Sequence, residues 1–392
     1  MPTLHLYDST DEAFHDVIFT DRASIYTCGV TPYDSSHLGH IATFIYFDIV
    51  RRLLISQGVN VSLVRNITDL DDPLFERVRD SEEPLETLVA RNIEQLDKDL
   101  DLLNCLPPTH EPYSSEYVDD MIAAITKLLE NGHAYTVDGW TYFDTSSRAS
   151  FPEFEAIKKM GEQSIEELGA QRGANPDDSR MKSRLDFVLW KPSADDEPSF
   201  DAPFGVGRPG WHIECSVMAM KLLGNTIDIH GGGDDLIFPH HACEVAQSES
   251  LSHEPFVRHF MHVAPVAYEG TKMSKSLGNL VYADEIIQEI GARCTRMMIL
   301  AHHYREGYEH HDTDAGLAQE RCARWTKVMA TFEGDAAPGV VYQEVLELLR
   351  NDLDTPGSLK VLDTAISAFS FDDIDAEQKR ADIQAAKELL GL

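Results

Sequence analysis

Apolar and polar residues alternate in blocks along the first 70 positions, in a pattern typical of strand–helix–strand units. Residues 25–27 form a short apolar run with β character, which Gly29 and Pro32 end. Apolar side chains then recur at four-residue spacing, which predicts an amphipathic helix over 40–54. Residues 59–64 alternate in the manner of a second strand. Two strands joined by a helix indicate one half of a parallel α/β sheet.

A second block of the same kind follows residue 200. The pattern predicts a helix over 216–223 and strands over 226–230 and 259–266. A loop is predicted at 231–235, where three glycines let the backbone approach a ligand closely. Between the two blocks, the pattern predicts helices with many exposed acids over about 73–135 and a strand over 135–143, and residues 148–197 are polar and irregular. We interpret residues 110–200 as an insertion between two halves of one sheet.

These elements predict a Rossmann-like, doubly wound parallel α/β sheet with an inserted connective domain and a C-terminal α-helical domain. A length of 392 residues is sufficient for two or three domains with a sizeable core. The predicted units are 1–110 as the first half of the catalytic domain, 111–200 as the connective insertion, 201–280 as the second half, and 281–392 as the helical domain.

The formal net charge of −34 is unusual, whereas a hydrophobic content of 43% is ordinary for a globular protein. Such a charge repels nucleic acid at long range unless a local basic surface overcomes it. A generally acidic, salt-adapted proteome is an equally good explanation. The charge therefore disfavours a nucleic-acid partner without excluding one.

The six cysteines are far apart, and the chain has neither a signal-peptide pattern at its start nor a run of about 18 apolar residues. We therefore expect a cytoplasmic monomer with reduced thiols and no membrane partner.

Three reactive side chains lie close together after the first strand: Cys28, His37 and His40. The helix predicted to begin at His40 has an N-terminus that favours phosphate. Residues 66–72, Asn-Ile-Thr-Asp-Leu-Asp-Asp, follow the second strand, at the end of the sheet where ligands bind in this fold class. A solvated turn with helix caps is the plainer interpretation of that acidic run.

A metal site is suggested by Cys28, Cys215 and His240, each of which falls at a strand end or a helix start. Two thiolates and an imidazole form a three-ligand zinc site with one open position. His241 and Cys243 are equally good ligands on the same helix, and a buried cysteine is commonly a core residue.

Glu244 follows His240 by four residues and lies on the same helical face, so its carboxylate is a candidate fourth ligand.

Lys272 and Lys275 flank a short loop bounded by glycines. Two lysines at this spacing can stabilise the negative charge of a departing pyrophosphate. An exposed basic loop is the alternative interpretation.

Together these residues resemble the class I cysteinyl-tRNA synthetase family over about residues 20–300. The matching motifs are residues 27–31 (TCGVT), 37–40 (HLGH, a variant of the HIGH signature), 66–69 (NITD), 208–215 (RPGWHIEC), 230–233 (HGGG), 238–241 (FPHH) and 272–276 (KMSKS).

The resemblance implies one Zn²⁺ held by Cys28, Cys215 and His240, with the thiol of substrate cysteine on the metal, and MgATP as the second substrate. It implies catalytic roles for His37, His40, Lys272 and Lys275. The residues that it places around the cysteine or its adenylate are Cys28, Gly29, Val30, Thr31, Thr43, Asn66, Ile67, Thr68, Trp211, Gly233, Asp234, Asp235 and Val266.

The chain is more similar to one branch of this family, which ligates cysteine to the amine of glucosaminyl-inositol in mycothiol biosynthesis. Residues 31–34 (TPYD), 40–43 (HIAT), 71–77 (DDPLFER) and 171–176 (QRGANP) resemble that branch, and the short acidic tail leaves little room for an anticodon-binding domain. Glu244 departs from it and matches the synthetases. The alternatives are a cysteinyl-tRNA synthetase that charges tRNA(Cys) and a non-catalytic paralogue that binds cysteine or adenylate.

Overall fold

The computed structural model describes residues 1–273 and 278–392. Within these ranges the strands form four small sheets. In chain order the strands are β1 (Thr3–Asp8), β2 (Ala13–Ile18), β3 (Arg22–Val30), β4 (Asn60–Ile67), β5 (Ala134–Val137), β6 (Trp140–Phe143), β7 (Phe187–Lys191), β8 (Arg208–Pro209), β9 (Ile229–Gly233), β10 (Phe260–Val263), β11 (Val266–Tyr268), β12 (Thr271–Lys272) and β13 (Tyr308–Glu309).

Helices surround the sheets and make up most of the chain after residue 280. In chain order they are α1 (Leu38–Ser56), α2 (Asp72–Ser81), α3 (Leu85–Leu102), α4 (Val118–Glu130), α5 (Glu155–Lys158), α6 (Glu162–Gln171), α7 (Trp211–Leu223), α8 (Ala242–Ser252), α9 (Ala283–Ile290), α10 (Ala292–Leu300), α11 (Asp312–Met329), α12 (Val340–Arg350), α13 (Thr355–Ala368) and α14 (Ala376–Leu389).

The central sheet is parallel and has the strand order β10-β9-β3-β4. The two halves of the chain alternate in this sheet, since β3 and β4 come from the first half and β9 and β10 from the second. The register between β3 and β4 shifts between Thr27 and Val30. A Cβ atom on Gly29 would lie 1.5 Å from the carbonyl oxygen of Asn66, so only glycine allows this approach. The predicted Rossmann-like architecture is confirmed.

Helix α1 begins two residues before the predicted start because the side chain of His37 caps it, accepting a hydrogen bond from the backbone N–H of Gly39. The helix is apolar on most of its surface, and 13 of its residues are buried. A helix buried on nearly all sides is typical of the interior of a large domain. It packs against both the sheet and the C-terminal helices.

In the second half, α7 begins at Trp211 rather than at residue 216, so Cys215 lies one turn inside this helix. Strand β9 covers 229–233 instead of the predicted 226–230, and the glycines expected in a loop lie within the strand. The prediction of a glycine loop is therefore wrong. A Cβ atom on Gly231 would lie 1.7 Å from the carbonyl oxygen of Met261, so the close approach of β10 requires glycine.

The insertion contains an antiparallel sheet of order β5-β6-β7-β8. The single strand expected at 135–143 is a hairpin, because Asp138 and Gly139 both have positive φ and form the turn. Strand β8 belongs to this sheet although it lies beyond residue 200. The domain boundaries at 110, 200 and 280 stay predictions.

The C-terminal helices share one hydrophobic core with the central parallel sheet, which we also call the catalytic sheet. The guanidinium of Arg296, on α10, is buried against α1, with Nη2 2.5 Å from Asp48 Oδ2. Among the helices of the described residues, none has both the length and the apolar character needed to cross a bilayer.

Candidate active site and metal cluster

A cavity of about 270 Å³ opens at the carboxyl ends of the parallel strands, where the sequence analysis placed the ligand site. We call it the substrate cavity. The predicted site residues that line it are Cys28, Gly29, Val30, Thr31, His37, His40, Thr43, Trp211, Gly233, Asp234, Asp235 and Val266. Segments remote in sequence therefore converge here because their strands are neighbours in the sheet.

Other lining residues were missed by the sequence analysis: Tyr33, Gly39, Phe44, Leu236, Val263, Ala264, Pro265 and Met273. Ala264 and Pro265 directly follow β10, so the rule that ligands bind beyond strand ends could have found them. Tyr33, Gly39 and Met273 lie within quoted motifs, whereas Phe44, Leu236 and Val263 carry no sequence signal that separates them from ordinary core residues.

Asn66, Ile67 and Thr68 lie behind the wall of the substrate cavity. Asn66 is fully buried, and its Oδ1 accepts from the backbone N–H of Gly29 at 2.9 Å while its Nδ2 donates to Thr68 Oγ1 at 3.1 Å. Ile67 packs in the hydrophobic core. These contacts hold the end of β3 in place, and direct substrate contacts for the three residues stay a prediction.

Of the two predicted lysines, only the backbone of Lys272 falls within the described residues. Lys275 and the side chain of Lys272 lie outside the described residues. Beyond this gap, the carbonyl oxygen of Val281 accepts from the backbone N–H of Leu38 at 2.9 Å, and Tyr282 forms a β-bridge with His37. The segment that follows the lysines is thus attached to the start of α1.

His37 and His40 stand together at the N-terminus of α1. Their ring centroids are 3.8 Å apart, and His37 Nδ1 accepts from the N–H of Gly39 at 3.1 Å. The first turn of α1 is the positive end of the helix dipole. An anionic group that enters the substrate cavity at this point meets both imidazoles and the positive end of the helix dipole.

Five buried side chains form a cluster of potential metal ligands behind Cys28. Cys28 Sγ lies 3.8 Å from Cys215 Sγ, 3.3 Å from His241 Nε2 and 3.7 Å from Glu244 Oε1. His240 Nε2 lies 3.0 Å from Glu244 Oε1. Among the described residues, Cys28, His240, His241 and Glu244 offer donor atoms that all lie within 4.8 Å of one another.

The electrostatics of the cluster favour the anionic forms of Cys215 and Glu244, whereas burial raises the pKa of the Cys28 thiol. A hydrogen bond from Cys28 lowers the pKa of Cys215 to about 6, against the opposing effect of burial. Burial alone would raise the pKa of Glu244, but His230 and His240 outweigh it and bring the pKa down to about 2. Both groups are therefore poised to be negatively charged at neutral pH.

Further imidazoles support the cluster, and the sequence analysis did not single them out. His212 Nδ1 lies 2.9 Å from His240 Nδ1, and His262 Nε2 lies 2.7 Å from His241 Nδ1. His230 Nε2 contacts Glu244 Oε2 at 3.1 Å. Such outer partners orient metal-binding side chains. His212 and His230 lie within quoted motifs, but their contacts with His240 and Glu244 join separate elements and could not be read from sequence spacing.

The donor set fits zinc. Two thiolates at about 2.3 Å from one tetrahedral ion are roughly 3.8 Å apart, and the observed separation of Cys28 Sγ and Cys215 Sγ is 3.8 Å. Sulfur, imidazole nitrogen and carboxylate oxygen are the donors that zinc uses in proteins. The indole of Trp211 stacks on the ring of His240, with centroids 4.2 Å apart, and Trp211 lines the substrate cavity whereas His240 does not.

Comparison with known proteins places the chain in a family. The family described as tRNA synthetases class I (C) catalytic domain matches residues 14–320. The solved methionyl-tRNA synthetase of Mycobacterium tuberculosis, in complex with methionyl-adenylate, has a similar fold, with a TM-score of 0.63 and 14% identity over 94% of this chain and 89% of that one. At that identity the likeness concerns the fold alone.

Curated relatives are much more similar in sequence. A protein of Gordonia bronchialis named L-cysteine:1D-myo-inositol 2-amino-2-deoxy-alpha-D-glucopyranoside ligase is 42% identical over 366 residues, which cover 92% of this chain and 88% of the relative. A protein of the same name from Thermobispora bispora is 38% identical over 95% of this chain and 92% of the relative. The chain therefore belongs to the class I aminoacyl-tRNA synthetase family and, within it, to the branch of these cysteine ligases.

Proposed function

We propose that this enzyme joins L-cysteine to the amine of 1D-myo-inosityl 2-amino-2-deoxy-alpha-D-glucopyranoside, with cleavage of ATP to AMP and pyrophosphate, as a step of mycothiol biosynthesis. The observation that carries the proposal is the 42% identity to a ligase of that name over 92% of this chain. The position of the substrate cavity at the carboxyl ends of the parallel strands supports it.

In the first step, the carboxylate of cysteine attacks the α-phosphate of MgATP, and pyrophosphate leaves. His37 and His40, together with the N-terminus of α1, stabilise the charge that develops on the phosphate. Lys272 and Lys275 are assigned to the departing pyrophosphate. Each such electrostatic contact supplies on the order of 3 kcal/mol of transition-state stabilisation.

The proposal includes one zinc ion held by Cys28, Cys215 and His240, with Glu244 as a fourth ligand. The buried thiols, the imidazole and the acidic carboxylate support this assignment. Bound there, zinc would hold the soft thiolate of cysteine and disfavour the harder hydroxyl of serine. Thr31 and Trp211 then border the rest of the amino acid from the cavity wall.

In the second step, the amine of the sugar attacks the carbonyl carbon of the cysteinyl-adenylate, an amide forms, and AMP leaves.

The second candidate function is the charging of tRNA(Cys). The carboxylate of Glu244 within the metal cluster favours it, because the synthetases have a glutamate at this position. The net charge of −34 disfavours it.

Cysteine-dependent exchange of pyrophosphate into ATP tests adenylate formation. We expect exchange with cysteine and at most a trace with serine. An enzyme that shows no exchange would exclude both ligase functions and leave only a cysteine- or adenylate-binding protein. The amino sugar and tRNA(Cys) are then offered in parallel, and charged tRNA without amide product would contradict the first proposal.

A further inference from the structure

A second cavity, of about 500 Å³, lies between the insertion and the catalytic sheet. We call it the insertion cavity. Its wall comprises the N-terminus of α2, the residues that follow α6, and the insertion sheet. A volume of this size accommodates a molecule as large as a disaccharide.

Two contacts make the insertion cavity a neighbour of the substrate cavity. Trp211 lines both cavities. Thr31, in the wall of the substrate cavity, has its Oγ1 3.4 Å from Oδ2 of Asp71, which lines the insertion cavity. Trp211 and the Thr31–Asp71 pair therefore form the boundary between the two cavities, and Asp71 is one side chain away from a group bound beside Thr31.

The wall chemistry suits a polyhydroxylated molecule. Asp178 Oδ2 lies 2.7 Å from both Arg180 Nη2 and the hydroxyl of Tyr142, so its charge is balanced. Arg180 in turn lies over the ring of Trp140, with Cζ 3.8 Å from the centroid. Carboxylates accept from sugar hydroxyls, guanidinium groups donate to them, and aromatic faces pack against sugar C–H groups.

Asp71 differs in its partners from the neighbouring carboxylate of the same wall, Asp72. Asp72, its neighbour, forms ion pairs with Lys191 and Arg208. Asp71 forms no ion pair within the part of the chain that is described, and its Oδ1 accepts from the backbone N–H of Asp72 at 2.9 Å. Burial raises the pKa of Asp71. A half-buried carboxylate without a cationic partner, placed between the two cavities, is suited to an incoming amine.

We propose that the insertion cavity holds the sugar part of the acceptor and that Asp71 binds its amine and accepts the proton that the amine loses. This inference rests on the proposed function. The nitrogen attacks through its lone pair, and the C–N bond forms at the carbonyl carbon of the adenylate. The C–O bond to AMP breaks with its electron pair on AMP, and the proton from nitrogen goes to the Asp71 carboxylate.

The test uses the full-length enzyme and two assays: pyrophosphate exchange without acceptor, and amide formation with the amino sugar. The variants are Asp71→Asn and Asp178→Asn. Their matched controls are Asp80→Asn, at the exposed end of α2, and Asp177→Asn, an exposed neighbour outside the cavity lining.

For Asp71→Asn we expect the ratio of amide formation to exchange to fall about 100-fold, as for the loss of a general base. For Asp178→Asn we expect KM for the amino sugar to rise about tenfold with a smaller change in kcat. Exchange also reports whether each variant folds. Amide kinetics within twofold of both controls, with exchange present, would overturn this inference alone. Absence of exchange in the unmodified enzyme would overturn the proposed function and this inference with it.

Discussion

The sulfur atoms of Cys28 and Cys215 lie 3.8 Å apart although 187 residues separate them in the chain. Cys28 lies near the end of β3, and Cys215 lies one turn inside α7. The pairing joins the two halves of the catalytic domain across the insertion. A metal ion bound there would hold together elements that the chain connects only through about 180 intervening residues.

Replacement of Cys215 should therefore remove the metal. We expect Cys215→Ala to lower the zinc content from about one per chain to near zero, because only Cys28, His240 and Glu244 of the four assigned ligands would remain. Elemental analysis of the purified protein measures this. Cys243→Ala is the matched control, since Cys243 is equally buried but points to the insertion cavity rather than to the cluster. Equal zinc in both variants would contradict the assignment.

The contributions of the adjacent His240 and His241 to zinc binding can be distinguished in the same way. We expect His240→Ala to lose more zinc than His241→Ala, because His240 Nε2 lies 3.0 Å from Glu244 Oε1 and His241 Nε2 lies 3.9 Å from it. The ring of His240 is also fixed by the stacked indole of Trp211. Metal affinity of each variant, measured by chelator competition, decides between them. A larger loss for His241→Ala would assign the ligand to that residue instead.

Arg296 should contribute strongly to stability. It is almost fully buried, and besides Asp48 it donates to the carbonyl oxygens of Leu390 and Leu103 at 2.7 and 2.9 Å. We expect Arg296→Met to lower the free energy of unfolding by about 3 kcal/mol, because buried acceptors and a charge lose their partner. Arg324→Met, at an exposed ion pair on α11, should change it by less than about 1 kcal/mol. Denaturant unfolding measures both, and equal effects would refute this role.

The buried Lys387 should make the folding stability of the protein depend on pH. Burial lowers its pKa to about 8, from an ordinary value of 10.5. The unfolded chain therefore binds more protons between pH 8 and pH 10.5, and the contribution of this group to stability rises with pH in that window. Below pH 8 the buried charge destabilises the fold.

We therefore expect Lys387→Met to raise the free energy of unfolding by about 1–2 kcal/mol at pH 7. The advantage over the unmodified protein should shrink as the pH rises from 8 to 10.5. Lys360→Met, at an exposed position on α13, should show no such trend. Thermal unfolding at a series of pH values measures the difference, and a constant difference would exclude the titration of Lys387 as its cause.

Much of the catalytic sheet could be predicted from hydrophobic patterns alone. Helix α1 and strand β4 have periodic apolar patterns and β3 has a short apolar run, and the predicted positions of all three overlap the observed ones. The strand predicted over 226–230 begins three residues before the observed β9, because the glycines of β9 carry no hydrophobic signal. Its position depends on contact with β10, and a local pattern cannot contain that contact.

The sequence by itself determined the residue types of the site and their order along the chain. Cysteines, histidines and strand ends were sufficient to predict a thiol-rich metal site beside a phosphate-binding helix. Only the tertiary structure decided that His212, His230 and His262 surround this site and that Asp71 lies between two cavities. These relationships join side chains from separate elements, and their distances follow from how the sheet, α7, α8 and the insertion pack together rather than from spacing in the chain.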